Sequence, residues 1–163
     1  MEDIMGKAAE AGHEDARIFI SLPASFPKQW VLLIHGRAMD LGLSAFVYHG
    51  IPQSPFQQTN NAEYEARADM YSAKFVFAAL AVKDATEFDG IWIVKHIPKL
   101  KKLGIKFDLA LVGVDASDFE RGHTTIGVPF DTKILRFPTA EQWLAFFSDE
   151  IRQYASRFPK KPS

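Results

Sequence analysis

The chain has 163 residues, no cysteine, 19 Lys plus Arg against 20 Asp plus Glu, and a net charge of −1. The absence of thiols excludes a disulfide scaffold, an Fe–S protein, a cysteine zinc finger and a thiol enzyme. An apolar content of 47% excludes an intrinsically disordered chain, because that much apolar surface does not stay unpacked in water.

The length predicts one globular domain over residues 1–158, with 159–163 as a flexible tail. The first residues, Met1-Glu2-Asp3-Ile4-Met5, show neither the basic nor the apolar region of a secretory signal. The longest apolar run, Phe75 to Val82, has eight residues, and a membrane-spanning helix needs about 20. The expectation is a cytoplasmic protein with no membrane association. Charge is uneven along the chain: residues 1–89 carry seven Lys/Arg and twelve Asp/Glu, and residues 90–163 carry twelve and eight. Such a dipolar chain is suited to a partner that meets one charged face.

In chain order, residues 2–14 read as a short helix weakened by Gly6 and Gly12. Arg17 to Leu22 is a strand stopped by Pro23. Residues 27–41 favour a helix, with Pro27 in its first turn and Trp30, Ile34 and Leu41 on one face. Trp30 to Ile34 also has the pattern of a buried strand. Ala45 to Tyr48 is a strand, and 50–61, rich in Gly, Pro, Gln and Asn, is a loop. Asn60 then caps a long helix with Glu63 in the capping-box position. Tyr64, Ala68, Tyr71, Phe75, Ala79 and Val82 recur at helical spacing and predict its buried stripe through residue 82.

Gly90 to Lys95 reads as a strand, and Pro98 to Leu103 as a short helix closed by Gly104. Lys106 to Asp115 is a buried strand. Thr124 to Val128 and Thr132 to Phe137 are further strands on either side of Pro129. Thr139 caps a final helix with Gln142 in the capping-box position, and Trp143, Phe147, Ile151, Tyr154 and Phe158 form its apolar stripe. The expected fold class is α+β or α/β: a single domain with a mixed sheet of about five strands packed against two long helices.

Three patterns bear on chemistry. Val31 to Gly36 ends an apolar run in His35-Gly36 and resembles the oxyanion-loop segment of α/β-hydrolases. Gly42-Leu43-Ser44-Ala45-Phe46 lacks the final glycine of the nucleophile elbow that such enzymes need. His123-Thr124-Thr125 resembles half of a two-histidine phosphoesterase site, and no second His-x-Thr or His-x-Ser accompanies it. Asp115, Asp131 and Lys133 are similar to the metal-binding carboxylates and lysine of PD-(D/E)xK nucleases, where two carboxylates hold a divalent cation. There is no His-x₃-His pair, Walker A sequence or dinucleotide fingerprint.

Each catalytic set lacks a member, so the sequence points to a non-catalytic protein-binding or regulatory module of the inhibitor or immunity-protein kind. It implies no cofactor and no metal. Another protein is a better partner than nucleic acid, because the chain is not basic overall. Glu63, Glu65 and Asp69 on the long helix form the expected contact face, with Glu65 and Asp69 four residues apart. Lys99 and Lys102 supply a basic counterpart. The alternative is a metal-dependent phosphodiesterase or nuclease using Asp115, Asp131 and Lys133, or His123.

Overall fold

The computed structural model describes residues 16–50, 61–82, 88–89, 91–113 and 132–157. The expected helix at 2–14, the strand at 124–128, the tail at 159–163 and most of the loop at 50–61 lie outside them. The elements are β1 (Arg17–Leu22), α1 (Trp30–Asp40), β2 (Ser44–His49), α2 (Asn61–Ser72), β3 (Phe75–Val82) and β4 (Phe88–Asp89). A 3-10 turn (Ile91–His96) leads into α3 (Ile97–Lys102), followed by β5 (Lys106–Val112), β6 (Ile134–Phe137) and α4 (Ala140–Ala155).

Five strands pair in the order β2-β1-β3-β5-β6, and every neighbouring pair on this path is parallel. Only the two-residue β4 runs antiparallel, against the end of β3. The chain steps outward from β1 to β2, returns across β1 to β3, and continues outward through β5 and β6. This is a doubly wound α/β sheet, in which the direction of winding reverses between β1 and β3.

Both faces of such a sheet are covered, so its central strands bury successive residues on opposite sides. Phe19, Val76, Ala78, Leu80, Leu109 and Leu111 pack with Ala66 and Met70 of α2 and with Ile97 and Leu100 of α3. Ile18, Ile20, Phe75, Phe77, Ala110 and Val112 face the other way, against Trp30 and Ile34 of α1 and Trp143, Phe147 and Ile151 of α4. Helices α2 and α3 therefore cover one face, and α1 and α4 the other.

The α/β class and the choice of helix for 27–41 agree with the sequence reading, although the described residues form four helices rather than two. Two expected elements differ. The long helix from Asn60 to Val82 ends at Ser72, and Phe75–Val82 is the central strand β3. An uninterrupted apolar run of this length is the signature of a strand buried on both faces, and helical periodicity cannot be separated from it. Gly90 to Lys95 is not a strand: Ile91–His96 forms a 3-10 turn. Its Trp92 inserts into the core and donates an indole hydrogen bond to Ser21 Oγ at 3.1 Å. Among the described residues, no helix is long and apolar enough to cross a membrane.

Candidate functional site

Helix α2 buries Glu63, Ala66 and Met70 and turns Tyr64 outward. This is the reverse of the stripe expected from spacing, because Tyr64–Tyr71 and Ala66–Met70–Ala73 recur at interchangeable helical intervals. The consequence is an aromatic outer surface. Tyr64 is 59% exposed, and the Arg67 guanidinium lies 4.9 Å from its ring centre. Two turns after Tyr64, the Lys99 ammonium lies 4.5 Å from the Tyr71 ring centre, which ties α3 to α2.

Of the acidic residues expected to act together, Glu63 is set apart by the fold, whereas Glu65 and Asp69 both act on Tyr48. Glu63 is 1% exposed and forms an ion pair with Lys95 at 2.8 Å. It belongs to the packing between α2 and the 3-10 turn rather than to a contact surface. Asp69 accepts a hydrogen bond from the Tyr48 hydroxyl of β2. Burial raises the Tyr48 pKa, and the Asp69 carboxylate raises it further through that bond and its charge. Glu65 is the exposed member of the three, and its charge also raises the Tyr48 pKa. Of the two lysines, Lys99 engages Tyr71, and Lys102 is exposed at the end of α3.

His96 sits beneath this surface. It shares a 2.7 Å hydrogen bond between Nδ1 and the Tyr71 hydroxyl. Burial first, then the charge of Lys95, pushes the imidazole down to about 4, with Glu63 pulling the other way. The ring is therefore neutral at physiological pH. Burial likewise raises the Tyr71 pKa. The Tyr71–His96 pair fixes the aromatic that Lys99 covers, so the outer surface is held from below.

Asp115, Asp131 and His123 lie outside the described residues. Lys133 borders a small cavity of about 200 Å³ together with Lys106, Asp108 and Glu150, beside the start of β5. There burial raises the Asp108 pKa, Glu150 adds to the effect, and Lys106 and Lys133 oppose it. Among the described residues, no group of three or more His, Cys, Asp or Glu is placed to hold a metal ion. In doubly wound sheets ligands gather outside the carboxyl ends of the strands where the winding reverses. At the carboxyl end of β1, Leu22 is buried and Ala24 and Ser25 are exposed, and the segments that follow β2, β3 and β5 at this edge lie outside the described residues.

His35 is exposed on α1. On the same face of the sheet, Arg37 of α1 donates to Ser148 Oγ of α4 at 2.7 Å. A groove of about 640 Å³ runs between the two helices there. The outward side of α1 carries Leu32 at 79% exposure and Met39 at 61%. The sequence pattern placed Tyr64 in the core, where it is exposed, and passed over Leu32 and Met39 altogether; Tyr71 does pack against the core while keeping one ring face under Lys99. For α1 the signal was present: Trp30, Ile34 and Ala38 already complete one apolar face, which leaves Leu32 and Met39 on the other.

These features define a doubly wound parallel α/β domain with an aromatic and charged surface on one side and an apolar helix face on the other. No family model matches the chain, and no curated protein matches it in sequence.

Proposed function

We propose that this chain is a protein-binding module, without chemistry of its own, that recognises its partner through the outward face of α2 and α3. The observation that carries this reading is the pair of cation-covered tyrosines: Tyr64 under Arg67 and Tyr71 under Lys99. Tyr and Arg dominate the energetic centres of protein interfaces, since they offer a large, rigid apolar area with a polar edge. Tyr71 is already anchored to His96, so ordering it on binding costs little. Glu65 and Lys102 form a charged rim that steers association. A regulatory role of the inhibitor or immunity-protein kind fits such a face.

The test compares wild type with a Tyr64→Ala/Arg67→Ala variant as baits in native lysate, read by quantitative mass spectrometry. The expected result is one protein retained by wild type and depleted at least about 10-fold by the variant, with the thermal midpoint unchanged. If every captured protein is retained equally by both baits, this face is not the contact surface.

A further inference from the structure

We propose that the partner meets this chain with an acidic segment, seated in the seam between α2 and α3. This rests on the α2–α3 face being the contact surface, and it names the chemistry of what binds there.

The seam is built from both sides. Glu63, Arg67 and Tyr71 recur every four residues along the side of α2 that meets α3, with Tyr64 beside them. From the facing side, Lys95 reaches Glu63 at 2.8 Å, and His96 Nδ1 shares its 2.7 Å hydrogen bond with the Tyr71 hydroxyl. Lys99 covers the Tyr71 ring, and Lys102 continues the exposed row three residues later. The fold sorts the charges of α2 to its two flanks. Glu65 and Asp69 act on Tyr48 of the edge strand β2, so they lie away from the seam. Arg67 acts on His96 together with Lys95 and Lys99, so it lies in the seam. The seam thus gathers the cations Arg67, Lys95, Lys99 and Lys102 against one carboxylate, Glu63, which is buried and paired with Lys95. Arg67, Lys99 and Lys102 have no carboxylate in ion-pair contact among the described residues.

Two of these cations are held in place before anything binds. The Arg67 guanidinium and the Lys99 ammonium each sit over a tyrosine ring, which restrains their long side chains. An ordered cation binds a carboxylate at less entropic cost than a free one. A guanidinium over a ring keeps N–H donors at its edge, where a carboxylate can accept two of them. From Tyr64 to Tyr71 the helix rises about 10 Å. That length accommodates carboxylates from alternate residues of an extended chain, which lie about 7 Å apart. A nucleic-acid strand offers the same negative charge, but its bases need ring faces to stack on. Here each ring carries the chain's own cation, and Tyr71 also packs against the core. The whole chain has a net charge of −1, whereas nucleic-acid proteins carry a basic excess. The seam therefore suits carboxylates better than bases.

Fluorescence anisotropy of a labelled decaglutamate peptide, titrated with the full chain at low salt, tests the proposal. Binding is expected, and Lys99→Glu/Lys102→Glu should weaken it at least about 10-fold with the thermal midpoint unchanged. Both lysines are exposed, so the double variant is expected to fold. Backbone amide spectra of the isotope-labelled chain should shift at Tyr64, Arg67, Tyr71 and Lys99, and a decalysine peptide should leave them unmoved. The proposal falls if decaglutamate does not bind, if the charge reversal leaves its affinity unchanged, or if the shifted amides lie elsewhere. A single-stranded oligonucleotide of the same length that binds more tightly than decaglutamate also overturns it, and makes the seam a nucleic-acid site. The lysate comparison with Tyr64→Ala/Arg67→Ala is read separately. A partner lost there, while decaglutamate fails to bind, leaves the contact face standing and removes only its acidic occupant.

Discussion

His96 couples the interior to the proposed contact face, and its titration makes that coupling measurable. The folded chain keeps the ring neutral down to about pH 4, whereas the ordinary value is 6.5. Lys95, Lys99 and Arg67 all disfavour its cation, and Glu63 favours it. Between these limits the unfolded chain binds a proton that the folded chain does not. Stability therefore falls as pH drops from 6.5 towards 4, by about 3 kcal/mol over the full window, and the loss is complete below it. Urea unfolding of wild type and His96→Gln at neutral pH and near pH 4.5 checks this. Carboxylates titrate in both proteins, so the informative quantity is the difference between their slopes. Parallel losses would mean that His96 does not set the acid sensitivity. Glutamine retains a polar partner for the Tyr71 hydroxyl, so the comparison isolates the charge.

At the scale of elements, two joints between helix and strand share one design. Helix α1 ends with Gly42 at φ 79° and α3 with Gly104 at φ 72°. In each, the glycine N–H bonds three residues back, to Met39 O or Lys101 O. The next residue bonds five back, Leu43 to Ala38 O and Ile105 to Leu100 O. This double closure satisfies the last carbonyls and turns the chain directly into β2 or β5. Gly104→Ala should lower stability by about 1 kcal/mol, since an alanine there must adopt a left-handed conformation. Chemical denaturation measures it, and no change would mean that the turn relaxes at little cost. Such joints were legible in the sequence, because Gly104 follows the apolar pattern of α3 and needs no tertiary context. The cap of α4 was legible for the same reason: Thr139 Oγ1 accepts from Gln142 N at 3.2 Å, as a capping box requires. What failed was the boundary between α2 and β3. Ala73 N bonds to Met70 O and Lys74 N to Arg17 O, so the helix is ended by strand pairing across the sheet. That signal lies nearly sixty residues away and is invisible to a local pattern. The same error hid the exposed tyrosine: a stripe extended through Phe75 and Ala79 placed Tyr64 in the core along with Tyr71, which does pack against it.

The whole molecule rests on that misread segment. Phe75, Val76, Phe77, Ala78, Ala79 and Leu80 of β3 are all at most 4% exposed, and β1 and β5 flank the strand on both sides. The edge strand β2 pairs only with β1 among the described elements, and all six of its residues are half-buried. The charge asymmetry follows the same layout. Residues 91–113 and 132–157, on the β5–β6 side, carry nine Lys/Arg and four Asp/Glu, whereas 16–50 and 61–82 carry five and four. The basic excess thus sits at one side of the sheet, and the acidic excess of the first half belongs to residues beyond those described. Packing of this kind sets a hierarchy of opening free energies, with central strands at the level of global unfolding and edges well below it. Native-state hydrogen exchange in low urea should place the β3 amides in the slowest group, together with β1 and β5, and the β2 amides in a faster one. A continuous helix from residue 60 to 82 predicts something else: protection shared evenly along the segment, with no step between Ser72 and Phe75. Exchange of Phe77 and Ala78 as fast as Ala68 would therefore exclude the doubly wound sheet. A sharp step at residues 73–75 is the signature of β3 held from both sides by strands distant in sequence.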